Sequence, residues 1–181
     1  MAKTEKRERL LELIREFALT RGDFTLASGK KSSYYINVKK VILKPEGAYL
    51  SAKLMLDMIP AGVQAVGGVP LGAVPIVSSM VALSFNEKRS LDGFLIRKES
   101  KGYGTDKLIE GEVSNNMKVV IVEDVVTTAG SVLKAIENVR KYGLDVSKVI
   151  SLVDRNEGGA DLLRKNGLDF EAVFEIDEIL G

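Results

Sequence analysis

From residue 65 onward the chain alternates short, mostly apolar runs, several of them continuous, with stretches of helical period. "AVGGV" (65–69), "GFLIRK" (93–98), "VVIVED" (119–124), the run ending in "SLVD" (151–154) and "FEAVFEI" (170–176) are the apolar runs. A strand that is apolar at successive positions is covered on both faces. A helix after each strand carries the chain back so that the next strand lies parallel. The alternation predicts an α/β fold: an open, mostly parallel, doubly wound sheet with helices on both faces.

The spacing predicts helices over 5–20, 45–59, 73–85, 130–142 and 158–166, with Gly22 and Gly143 as stops after the first and fourth. Strands are predicted over 65–69, 93–98, 118–123, 147–154 and 170–176. Residues 23–41 read as extended, broken by a turn at Ser28–Gly29. Residues 99–116 are polar and glycine-bearing, and read as a long loop with a short hairpin. All 181 residues fit one domain, in which residues 1–40 break the alternation and read as an N-terminal hood or dimer contact.

Composition narrows the chemistry. The chain has no cysteine and no histidine, which excludes disulfides, thiolate nucleophiles, Ser-His-Asp triads and the usual zinc sites. The 26 basic and 25 acidic residues nearly cancel, so bulk attraction to nucleic acid is not expected. No apolar run approaches the roughly 20 residues that span a bilayer. The start, "MAKTEKRERLLELIREF", is charged and helical rather than a signal sequence. A cytoplasmic protein without nucleic-acid or membrane partners is the expectation. Such a chain suits reactions that run on positioning and electrostatics.

The segment "VVIVEDVVTTAGSV" (119–132) carries the strongest chemical signal. In an open α/β sheet, ligands bind beyond the carboxyl ends of the strands, and here a strand ends on Glu123 and Asp124. The small residues that follow lead into a helix near Gly130 or Ser131. A helix N-terminus offers unpaired N–H groups and partial positive charge, which suits a phosphate. Thr127, Thr128 and Ser131 add hydroxyl donors, and the acids can accept hydrogen bonds from sugar hydroxyls. The same residues also fit an ordinary strand-to-helix turn with a Ser or Thr cap and two solvated acids. The two familiar phosphate motifs, G-x-x-x-x-G-K-[ST] and G-x-G-x-x-G after a strand, are both missing.

"VVIVEDVVTTAGS" resembles the phosphoribosyl-pyrophosphate signature of the type I phosphoribosyltransferases. "FTLASGKKSSYYINVK", "GGVPLGAVPI", "FLIRKESKGYG" with "LIEG", and "SLVDRNEGG" resemble, in the same order, the orotate phosphoribosyltransferases. The resemblance covers residues 5 to 176. It implies transfer of ribose 5-phosphate from phosphoribosyl pyrophosphate to orotate, giving orotidine 5′-monophosphate and pyrophosphate in pyrimidine biosynthesis. It also implies Mg²⁺ carried mainly by substrate phosphates, no dedicated protein metal site, and a homodimer with shared active sites.

Residue by residue, the resemblance implies catalytic roles for Lys101, Arg97 and Asp124. It implies phosphoribosyl-pyrophosphate contacts from Arg97, Lys98, Lys101, Tyr103, Glu123, Asp124, Val125, Val126, Thr127, Thr128, Ala129, Gly130 and Ser131. Orotate contacts fall to Thr127, Arg155, Tyr35 and Ile36. Arg97, Lys98 and Lys101, with Gly102 and Gly104, would form a closing lid donated partly by the neighbouring subunit. By its chemistry alone, Arg155 can grip a carboxylate bidentately or pair with Asp154 or Glu157 at the surface. Tyr34 and Tyr35 read equally as packing residues. The chain departs from relatives at Tyr103, where histidine is usual, at Ala27, where some have lysine, and at Pro70–Leu71, where some have Tyr-Lys. "VPLGAV" can still meet pyrophosphate through backbone N–H groups, with Gly72 permitting an unusual turn. A purine or uracil phosphoribosyltransferase, and a phosphoribosyl-pyrophosphate-sensing regulator, are the alternatives.

Overall fold

The computed structural model describes residues 1–25, 29, 31–97 and 108–181. Helix α1 (Lys3–Leu13) runs through one π-helical turn, Ile14–Ala18, into a hairpin of β1 (Leu19–Thr25) and β2 (Lys31–Ile36). Helices α2 (Lys39–Ile42) and α3 (Pro45–Leu56) follow. Then come β3 (Ala65–Gly68), α4 (Ala73–Asn86), β4 (Asp92–Ile96), β5 (Ile109–Glu110), β6 (Lys118–Val126) and α5 (Gly130–Lys141). The chain finishes with β7 (Asp145–Asp154), α6 (Gly159–Lys165), β8 (Phe170–Glu175) and α7 (Ile176–Leu180).

The main sheet has the order β5-β4-β3-β6-β7-β8, parallel throughout except for the antiparallel edge strand β5. This is the expected doubly wound α/β sheet. Its two faces are filled by alternate residues of the same strands. Val66, Val120, Val122, Ile150 and Leu152 join one core cluster with α1, α3 and α4. Ala65, Val119, Ile121 and Val149 join the other, with Val132, Ala135, Ile136 and Val139 of α5. Those four α5 positions are spaced three and four apart, the stripe that anchors a helix on a sheet. From β3 the chain first moves outward to β4, then returns to place β6 on the other side of β3. The crevice beyond the ends of β3 and β6 is therefore the topological switch point, where such sheets bind ligands.

Several boundaries differ from the sequence expectation. The first helix stops short of residue 20, because Leu19 and Thr20 pair across the hairpin with Ile36 and Tyr35. The expected extended stretch ends at Ile36. The amides of Val41 and Ile42 both bond Val38 O at 2.9 Å, and burial of those two side chains closes the short helix α2. Strand β6 runs past the two acids to Val126, because β7 offers a partner up to the Val126↔Asp154 pair. Helix α7 was not expected. Ile176 and Ile179 bury against the core, and Arg7, Arg15 and Arg21 hold its end through Glu178 and the carbonyls of Glu178, Ile179 and Leu180. Residues 1–18 belong to the main core through Leu10, Leu13 and Ile14, and the β1–β2 hairpin forms the separate two-stranded sheet. Among the described residues no helix is long and apolar enough to cross a membrane.

Candidate active site

The last third of β6 carries the acid pair. Asp124 is 8 % exposed and Glu123 is half-buried. The Asp124 carboxylate is held on both oxygens: the Val125 N–H donates to Oδ1 at 2.9 Å and Lys39 Nζ donates to Oδ2 at 3.2 Å. The Asp124 N–H donates in turn to Glu123 Oε1 at 3.2 Å. Burial, a shared hydrogen bond with Asp124 and its negative charge push the Glu123 carboxyl up to about 8, against the pull of Lys39. Near neutral pH the pair therefore keeps a proton on Glu123. A protonated acid beside an ion-paired one can both donate to and accept from sugar hydroxyls.

The segment after β3 closes on the same carboxylate. A Cβ on Gly72 would overlap the Asp124 side chain, so this position admits only glycine without displacement. The preceding Pro70–Leu71 peptide is cis, and Leu71 stands out in solvent.

Beyond Val126, residues Thr127 and Thr128 bend the chain into α5. The residue that caps the helix is Ala129, in the left-handed region at φ 60°, and among the described residues no side chain caps the helix. The ordinary Ser- or Thr-capped turn is thus not what forms. Ala129 is buried while Thr128, Gly130 and Ser131 are exposed, and a Cβ on Gly130 would meet open space. The result is a helix N-terminus of a 12-residue helix with its amides open and small residues around it, the geometry that accepts a phosphate. Helix α6 buttresses the turn from behind: Gly159 lies so close to the Thr127 carbonyl that a Cβ there would overlap it.

Arg155 follows β7 next to this turn, its N–H bonded to Val126 O at 2.9 Å. Its side chain is only 9 % exposed, so it is not solvated, but the expected pairing with Glu157 does form. The guanidinium lies 5.1 Å from the centre of the Tyr34 ring, 3.5 Å from the Tyr34 hydroxyl and 3.0 Å from Glu157. Its Nε has no partner among the described residues. Tyr34 thus meets Arg155, whereas Tyr35 is 44 % exposed against Phe24 and Ile36 is buried in the core.

The structure brings Glu123, Asp124, Val125, Val126, Thr127, Thr128, Ala129, Gly130, Ser131 and Arg155 together at the ends of two adjacent strands. Arg97 lies just beyond β4, two strands away from β6, with Nη2 2.5 Å from Glu110 and its Nε unpartnered among the described residues. Lys98, Lys101 and Tyr103 lie outside the described residues.

Residues 42–174 match the phosphoribosyl transferase domain. An orotate phosphoribosyltransferase of Nostoc sp. is 47 % identical over 96 % of this chain and 84 % of its own length. This chain belongs to the orotate phosphoribosyltransferase family. Among solved structures, orotate phosphoribosyltransferase from Mycobacterium tuberculosis in complex with Fe(III) dicitrate superposes with a TM-score of 0.85 at 31 % identity, covering 96 % of this chain and 98 % of that one. The same enzyme in complex with 5-phospho-α-D-ribosyl 1-diphosphate gives 0.82 at 30 % identity, covering 97 % and 99 %.

Two residues at this orotate phosphoribosyltransferase site escaped the sequence reading. Lys39 sits 85 positions from the acid it bonds, and only the fold of the hairpin and α2 joins them. Tyr34 was readable as an aromatic near the site, but which of two adjacent tyrosines faces inward is set by the register of β2 against β1.

Proposed function

We infer that this chain transfers ribose 5-phosphate from phosphoribosyl pyrophosphate to orotate, forming orotidine 5′-monophosphate and diphosphate, a step of pyrimidine nucleotide synthesis. The observation that carries this reading is the convergence of an acid pair, an uncapped helix N-terminus and a shielded guanidinium at the switch point of the sheet. Each suits a different part of the substrates. The open amides of α5, with Thr128 and Ser131, suit the 5′-phosphate. Glu123 and Asp124 suit the two ribose hydroxyls. Arg155 suits the carboxylate of orotate, by two parallel hydrogen bonds.

The bond between the orotate ring nitrogen and the anomeric carbon forms as the carbon–oxygen bond to diphosphate breaks. The electron pair leaves with the diphosphate, and the ring nitrogen gives up its proton to solvent. No covalent enzyme intermediate is required, so alignment and neutralisation of the leaving group supply the acceleration. Positive charge develops on the sugar, and the nearby Asp124 carboxylate opposes it. Arg97 and Lys101 would bind the diphosphate, with Lys98 and Tyr103 in the same lid, in a homodimer that shares its sites. The backbone N–H groups of Leu71 and Gly72 would add donors on the same side, Pro70 having none.

Mg²⁺ fits as an ion carried on the diphosphate oxygens. The acids at the site are two neighbours, one of them already bonded to Lys39, and among the described residues no group of three potential ligands converges. Mg²⁺ prefers oxygen ligands, keeps its waters and commonly binds substrate phosphates; bound so, it would neutralise the leaving group. The cytoplasm is the compartment we assign to it, from the charged, helical start of the chain.

The test is depletion of orotate absorbance with phosphoribosyl pyrophosphate and Mg²⁺, beside parallel reactions with adenine, hypoxanthine and uracil. Consumption of orotate alone supports the reading. Consumption of another base in its place refutes it. Lys101→Ala should cut the maximal rate strongly without unfolding the chain.

A further inference from the structure

Asp124 is a nearly buried carboxylate whose two oxygens are both engaged, one by its own strand and the other by Lys39 from α2. The lysine comes from outside the main sheet. Its backbone opens α2, which Val41 and Ile42 seal into the core with 0 % and 1 % exposure. The base of the side chain is therefore fixed, while the side chain itself is 46 % exposed and contributes little to packing. It crosses from the hairpin side of the molecule to the acid pair, and Gly72 closes on the same carboxylate from the β3–α4 turn.

We propose that Lys39 is a positioning residue for phosphoribosyl transfer: it pins the Asp124 carboxylate in its sugar-binding orientation. The inference rests on the functional reading above, and adds a residue from the N-terminal segment to a site otherwise built by the sheet.

Two further observations support it. Held between the Val125 amide and Lys39, Asp124 cannot rotate without losing one of two hydrogen bonds, so its unshared lone pairs keep a fixed direction. Lys39 is also a cation that acts on Glu123: among the described residues the charged groups facing that carboxyl are Asp124 from its own strand and, more weakly, Lys39 from α2. The β3–α4 turn contributes Gly72 and no charge, and β7 sets Ser151 opposite Glu123. The neighbouring Lys44 is turned elsewhere, 4.2 Å over the Phe17 ring.

Lys39→Met keeps the length of the side chain and removes its charge, Lys39→Arg keeps the charge, and Lys40→Met removes a charge one position away. Thermal unfolding of each first establishes that it folds. In Lys39→Met, kcat/KM for phosphoribosyl pyrophosphate should fall about tenfold to a hundredfold. The inflection of its pH profile should move to higher pH, because losing a nearby cation favours the protonated acid. Lys39→Arg should recover most of the rate and restore the inflection, and Lys40→Met should change neither. Unchanged kcat/KM in folded Lys39→Met overturns the proposal. So does a loss that Lys39→Arg leaves unrepaired, which would mean that the charge on this side chain is not what holds the acid. An unmutated chain inert toward orotate and phosphoribosyl pyrophosphate would instead bring down the functional reading, and this inference with it.

Discussion

A Cβ on Gly72 and the carboxylate of Asp124 would occupy the same space. Gly72 lies in the turn after β3 and Asp124 in the last third of β6, and their contact closes the switch point. Gly72→Ala must displace either the acid or the turn. A misplacement of about 1 Å costs on the order of a hundredfold in rate, so kcat/KM for phosphoribosyl pyrophosphate should drop by about that factor. Steady-state kinetics beside a thermal melt would check it; a variant with full activity would show that the turn yields without moving Asp124.

Arg155 and Tyr34 make a second prediction, confined to the other substrate. A guanidinium offers a planar fork that the lysine ammonium lacks. Arg155→Lys should therefore raise KM for orotate, losing about 1.5–3 kcal/mol of a charged hydrogen bond, with KM for phosphoribosyl pyrophosphate little changed. Tyr34→Phe keeps the ring beside the guanidinium 5.1 Å away and removes only the 3.5 Å hydroxyl contact, so its effect should be small. Initial rates over a range of orotate, at saturating phosphoribosyl pyrophosphate, separate the two variants. An equal rise in KM for both substrates in Arg155→Lys would contradict the assignment.

The sequence made the sheet legible because its information is local. Each core strand is an apolar run of its own, and α5 announces its buried face through Val132, Ala135, Ile136 and Val139. The turn 127–131 was legible for the same reason: strand end, small residues and helix start are contiguous. Lys39 and Tyr34 act across long separations, and no local pattern marks a lysine that will meet an acid 85 residues away. The boundary at Leu19 was hidden because helix period and strand pairing compete there, and the pairing with Ile36 is a tertiary event. Helix α7 was missed because five residues show too little periodicity. Its stability comes from Ile176 and Ile179, and from arginines at positions 7, 15 and 21.

Phe174 tests the packing independently of the site. It is fully buried in β8, with the Arg7 guanidinium 4.7 Å from its ring. Phe174→Ala should cost about 3–5 kcal/mol, read as a lower urea midpoint with unchanged slope. A substitution that is nearly neutral would mean that the N-terminal helix and the sheet collapse readily into the space.

Glu123 supplies a prediction in pH. Its carboxyl is raised in the folded chain to about 8 from an ordinary value of 4.5, chiefly by burial and then by Asp124. A group whose folded pKa is raised contributes stability that is fully present below its unfolded pKa and is lost as pH rises through the folded one. Below about pH 4 the protonated Glu123 therefore carries no penalty. Between about pH 4.5 and 8 the unfolded chain releases its proton while the folded chain keeps it, so the wild type loses stability relative to a variant that cannot ionise. Glu123→Gln should melt higher than wild type at pH 8 to 9, by an amount on the order of 2–4 °C for each kcal/mol recovered. The difference should shrink steadily toward pH 4.5. Differential scanning calorimetry across that range decides it: a difference independent of pH would show that the gain came from packing of the amide, and a lower melting point at pH 8 would show that the ionised carboxylate stabilises the fold.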